Sequence, residues 1–220
     1  MKGGTLIALV GAVVLRLTIT DQYLRFVKDG MRPWLLVAGA ALAVLGTVTV
    51  IRALRGDELE EPAEAWLVLA PIAALLLVAP PALGSFGVDR AAPVVITSRA
   101  GEFPPLPKGE DPAQMTLLEY GQRSFDGDGT TLRNASVQLT GFVASGSSSD
   151  SFRLARYQIA CCAADAAAAV VEVLGISGSS PPQDEWVTVT GTFHEPDGEI
   201  PALSAVVVQR IAPPKDPYEQ

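Results

Sequence analysis

The chain has 220 residues, 49% of them hydrophobic, and its mean hydropathy of +0.31 is high for a wholly water-soluble protein. Sixteen basic residues against 24 acidic ones leave a net charge of −8, which argues against a phosphate-binding surface, because nucleic-acid affinity comes largely from Lys and Arg displacing counterions. Two cysteines exclude a multi-bridge disulfide framework and a four-thiolate zinc site.

The apolar residues are concentrated in the first ninety or so positions, so lipid is the expected solvent there. Residues 5–19 are uncharged except for Arg16. They read as a first span over about 4–20, rather than as a cleaved signal, because no small-residue cleavage site precedes a soluble region. Arg16 snorkels to an interface or faces a partner. "WLLVAGAALAVLGTVTVI" is a second span over 34–52, with Trp34 at the interface and Arg52 and Arg55 closing it. "AWLVLAPIAALLLVAPPALG" predicts a third over 65–84, opened by Trp66, kinked at Pro71 and stopped by Pro80 and Pro81. Trp34, Trp66 and Arg16 are the expected membrane anchors. Arg25, Lys28 and Arg32 favour a cytoplasmic first connection, opposed by Lys2, Arg52 and Arg55.

Residues 1–88 therefore read as a membrane domain, and the Pro- and Gly-rich stretch 89–112 as a linker. In "DPAQMTLLEYGQR" an Asp precedes a short apolar-periodic run, which predicts a short helix. Five alternating bursts then predict strands at 136–143, 152–162, 168–174, 186–193 and 203–211. Gly141 and Gly191 fall inside two of them, where glycines mark the corners of a closed sheet. The expected fold is a helical membrane part of three spans, followed by an all-β domain over 113–213. That domain reads as a five-stranded OB-like barrel with a short preceding helix, and 214–220 as a tail. A small open sandwich is the competing architecture.

Cys161 and Cys162 stand side by side near the end of the second predicted strand. Neighbours on a regular strand face opposite ways, but a bulge would bring both thiols to one rim. Three readings remain open: a buried small hydrophobe beside an incidental thiol, a soft-metal or thiol-redox site completed by Asp165, His194 or a partner protein, and a strained vicinal disulfide. His194 is the single histidine and lies among Glu195, Asp197 and Glu199, which also make an ordinary polar hairpin. "FDGDGTTL" opens like a calcium loop but lacks the glutamate at the twelfth position, so a glycine-rich turn is expected. No nucleophile elbow, phosphate loop or HExxH occurs, which points away from an enzyme. The 6% aromatic content offers few platforms for stacking bases.

The segments "YLRFVKDGMRPWLLVAGAALAVLG", "LLLVAPPALGS", "YGQRSFDGDG", "VQLTGFV", "RYQIACCAADA" and "WVTVTGTF" together resemble the YcgQ-like bacterial membrane proteins of uncharacterised function, particularly the actinobacterial ones. The resemblance covers nearly the whole chain, and "CCAADA" and "APPALGS" are its most specific parts. It implies a subunit of a two-component membrane permease complex working beside a larger multi-span partner, and Cys161, Cys162 and Asp165 match the family motif. Many relatives carry a histidine-rich connection before the third span. Here that connection is "RGDELEEPAE", so no metal-capturing loop carries over.

Two functions are thus expected. The first is a multi-pass cell-membrane accessory subunit whose barrel docks on or regulates a permease, in contact with lipid and not with nucleic acid. The alternative is a metal- or thiol-responsive binding module in which Cys161, Cys162, Asp165 and His194 hold a thiophilic ion, the one cofactor the residues suggest.

Overall fold

The computed structural model describes residues 2–55, 82–88, 90, 103–106, 111–148, 150–176 and 180–219. The chain divides into two compact units, Met1–Ala82 and Leu83–Gln220.

In the first unit, α1 (Lys2–Ile19) and α2 (Arg32–Leu54) form a pair joined by two short 3₁₀ turns. Pro33 sits in the first turn of α2, where its missing N–H costs nothing, and the helix runs out as Arg52 and Arg55 return charge to the chain. The helices meet through small residues. Gly39 and Gly46 are the buried positions of α2, and a Cβ on Gly46 would strike the backbone of Ala8. The connection is held by the Tyr23 hydroxyl, which donates to Asp29 Oδ1 at 2.8 Å, and by Arg32 lying 3.6 Å from Asp21.

Among the described residues one stretch, Asp29–Leu54, is long and apolar enough to cross a membrane. Within the described residues this matches the second of the three expected spans. The apolar part of α1, Gly3–Ile19, is shorter. At about 1.5 Å per residue it falls short of a hydrocarbon layer of about 30 Å. Arg16 lies in its last turn, and Trp34 stands 69% exposed at the start of α2. The expected span 65–84, with Trp66 and Pro71, lies outside the described residues except at its last three positions. The acidic connection and most of the expected linker also lie outside them.

In the second unit, β1 (Ala113–Gln114) and α3 (Leu117–Phe125) precede five long strands. These are β2 (Ser136–Ser148), β3 (Ser151–Gln158), β4 (Ala167–Leu174), β5 (Trp186–His194) and β6 (Ala202–Arg210). Pairing runs β2-β3-β4-β6-β5 and returns from β5 to β2, which closes the expected five-stranded barrel. All contacts in that ring are antiparallel except β4 with β6, which is parallel and three residues long, Glu172 to Leu174 against Ala202 to Ser204. The period of two sorts the side chains. Val137, Leu139, Val143, Phe152, Leu154, Val171, Val173, Val187, Val189 and Leu203 fill the interior.

Helix α3 belongs to that interior through Leu117 and Tyr120, and the buried Tyr120 hydroxyl donates to the Ala202 carbonyl at 2.6 Å. Its N-cap is Thr116, whose hydroxyl accepts from the Glu119 N–H at 3.0 Å, and not the aspartate the sequence suggested. Asp111 is separated from the helix by β1, which pairs in parallel with the start of β2. Phe103 and Pro104, inside the expected linker, lie against the same helix. The Arg123 guanidinium is 4.7 Å from the Phe103 ring centre and donates to the Pro104 carbonyl at 2.9 Å.

A second apolar layer lies on the outer face, where Phe142, Ala144, Ala155, Tyr157 and Ala168 alternate with the interior set. Two segments from outside the strands cover it. Val88 comes from the stretch 82–88, which is held by Tyr157 Oη donating to the Gly84 carbonyl at 3.0 Å and by the Ser85 N–H donating to Asp184 Oδ1 at 2.7 Å. Tyr218 comes from the segment expected to be a tail. Arg156 donates to the carbonyls of Asp216, Pro217 and Tyr218, and the Glu219 N–H donates to the Tyr157 carbonyl. The Glu219 carboxylate, 3% exposed, accepts the Leu117 N–H at 2.7 Å at the open N-terminus of α3.

Candidate functional site

The hydrogen-bonded ladder of β3 stops at Gln158, four residues before the expected strand end, so the cysteine pair stands in a turn rather than on a strand. A side chain takes over where the ladder ends. Asp165 Oδ1 accepts the Ala160 N–H at 2.8 Å, while Oδ2 accepts the N–H groups of Cys161 at 2.9 Å and Cys162 at 3.3 Å. Three successive backbone donors thus converge on one carboxylate and fold the chain into a 3₁₀ turn over Ala163–Asp165. Cys162 caps that turn, its sulfur accepting the Asp165 N–H. The spacing Cys162-x-x-Asp165 is that of a capping box with a thiol in place of the usual hydroxyl.

Both cysteines are free, Cys161 exposed and Cys162 partly so, and neither is a buried hydrophobe. Cys161 Sγ donates to Asp165 Oδ2 at 2.9 Å, and the two sulfurs and the carboxylate oxygen lie within 4.8 Å of one another. The shared proton divides the two acidities. Donation from the Cys161 thiol and from the backbone pulls the Asp165 carboxyl down to about 2, and the same hydrogen bond, followed by contact with Cys162, pushes the Cys161 thiol up to about 11. At neutral pH the turn therefore holds a charged carboxylate beside a protonated thiol. A nucleophilic redox cysteine needs the opposite shift. What the turn offers is a compact set of two sulfurs and one oxygen.

His194 is not brought into this set. It ends β5, and its Nδ1 lies 3.1 Å from Ser204 Oγ on β6. Among the described residues Cys161, Cys162 and Asp165 are the only such group of donors. Asp126 and Asp128 belong to the glycine-rich turn Gly127–Gly129, with Gly129 packed so close that a Cβ there would strike the Phe193 ring. Sequence reasoning did not find the partners Arg156 and Glu219. The one sign of the docked segment was the aromatic Tyr218 in an otherwise polar "DPYEQ".

These features define a class: a closed five-stranded barrel, plugged by a helix and carrying a Cys-Cys-x-x-Asp turn, in a chain that also contains a helix of membrane-spanning length. Residues 129–219 match the family described as the DUF1980 C-terminal domain. The match takes in β2 to β6, the cysteine turn and the docked segment as far as Glu219, and it is consistent with the YcgQ-like resemblance. No curated protein matches the chain.

Proposed function

We propose that this chain is a membrane-anchored, non-enzymatic accessory subunit of a permease complex of the YcgQ-like, actinobacterial kind, and that its barrel docks on a multi-span partner. The observation that carries the reading is the surface of α2. Trp34 (69%), Val37 (67%), Val44 (63%), Leu45 (57%) and Leu54 (67%) are exposed around it, and only 11% of its most apolar stretch is buried, unlike the core helix of a soluble domain. The DUF1980 C-terminal domain supports a membrane-associated protein of this type. In this proposal α1 enters the bilayer beside α2, brought close by the glycine contacts, and Arg16 snorkels to the interface. The outer face of β2 to β4 is filled by the chain's own Val88 and Tyr218, so the partner engages another part of the barrel.

The test is purification of the tagged full chain, at native expression level, in mild detergent after alkaline washing of membranes. The expected result is retention in the membrane and stoichiometric copurification of one multi-span protein. Extraction by alkali, or migration of the chain alone on native gels, would overturn the reading.

A further inference from the structure

We propose that Cys161 Sγ, Cys162 Sγ and one oxygen of Asp165 form a three-ligand, exchangeable site for a single divalent zinc-class ion. The proposal is independent of the permease reading.

The geometry carries it. Around a zinc ion with Zn–S of about 2.3 Å and Zn–O of about 2.0–2.2 Å, tetrahedral ligand atoms stand about 3.5–3.8 Å apart. The three donor atoms already lie within 4.8 Å, and Cys161 Sγ is 2.9 Å from Asp165 Oδ2, so side-chain rotations of a few tenths of an ångström to about 1 Å suffice. That short contact holds a proton between two atoms that would both face the ion. Coordination replaces the proton without moving the carboxylate, because the N–H groups of Ala160, Cys161 and Cys162 keep it aimed. The Asp165 N–H on the Cys162 sulfur is likewise a donor that stabilises a thiolate.

Donor chemistry selects the metal. Two sulfurs and a carboxylate suit a borderline cation better than copper(I), which prefers sulfur alone, or calcium, which prefers oxygen. Both thiols lose their protons to solvent on binding, so one M²⁺ goes in and two H⁺ come out. Two thiolates, one carboxylate and the ion leave a net charge of −1. Three protein ligands leave the fourth tetrahedral position open, and Cys161 is exposed, whereas a structural zinc site is closed by four. Such a site can pass its ion to a ligand from another molecule.

The experiment uses the full chain in detergent, stripped with chelator and titrated with Co²⁺ and then Zn²⁺. Expected are a cobalt–thiolate charge-transfer band saturating at one ion per chain, its displacement by Zn²⁺, and release of about two protons per ion in weak buffer. Cys161→Ser with Cys162→Ser should abolish the band and lower Zn²⁺ affinity at least 100-fold. Asp165→Asn should keep the band and weaken binding about 10-fold or more. His194→Ala should leave both unchanged. Circular dichroism of each variant checks that the barrel is folded. Absence of the band, unchanged Zn²⁺ affinity in the double serine variant, or binding lost with His194→Ala would each overturn the proposal. Zinc binding by a chain that purifies without a partner would support this site while sinking the permease reading.

Discussion

Replacing Asp165 by Asn tests the proton sharing in the turn directly. In the native turn the Cys161 thiol sits at about 11 because the Asp165 carboxylate accepts its proton. Without that charge it should return toward its ordinary 9.0. Two pH units raise the thiolate fraction at pH 7.5 by about 100-fold. The thiolate also becomes a weaker nucleophile as its basicity falls, by about 8-fold for a Brønsted slope near 0.45. The net expectation is alkylation about tenfold faster. The assay is the iodoacetamide rate of chelator-treated protein as a function of pH, in a Cys162→Ser background so that Cys161 alone reports. With Cys162 replaced, the midpoint should lie clearly above 9.0 with Asp165 present and fall toward 9.0 with Asn. Equal rates at pH 7.5, or a midpoint near 9 with Asp165 in place, would refute the reasoning.

Two further outcomes follow from the barrel. Gly191→Ala places a Cβ against the Ser204 carbonyl and 3.0 Å from Leu203 Cγ, at the point where the β5–β6 register shifts. Overpacking of about 2 kcal/mol should lower the thermal midpoint by roughly 10 °C, and a change under about 1 °C by near-UV circular dichroism would contradict the packing. Burial raises the Glu219 carboxyl above its unfolded value, despite its backbone donors and the nearby Arg156. The folded chain then binds the extra proton, so stability should fall as pH rises from about 4.3 through the raised value. Glu219→Gln, which can still accept from the Leu117 N–H, should flatten that decline in urea titrations, and an unaltered slope would show that another group causes it.

The barrel was legible because its residues obey a period of two. Val137, Leu139 and Val143 point in, and Phe142 and Ala144 point out, as the pattern of β2 requires. Gly141 and Gly191 also marked close backbone approach, since a Cβ at either would meet the carbonyl of a neighbouring strand, Ala155 or Ser204. The cysteine site was half legible. Its donors Cys161, Cys162 and Asp165 could be named, but the strand was drawn through them, because apolar patterning does not register a carboxylate that captures three N–H groups and ends a ladder. His194 looked a suitable fourth ligand by residue type alone, and tertiary register sets it with Ser204 instead. Least legible were residues 82–88 and 216–219. Their packing depends on Arg156, Tyr157 and Asp184, which are distant in sequence, and segments as short as "ALGSFGV" and "DPYE" show no periodic pattern of their own.

The grip of Tyr157 on the Gly84 carbonyl changes how a pull on the chain would reach the barrel. If the expected linker ended at Pro112, the 28 positions after Gly84 would give ~90 Å of slack when extended. Fastening the chain at Gly84 takes that length out of the leash. Tension arriving from the N-terminal side therefore loads β3 first, on the strand that leads three residues later into the cysteine turn.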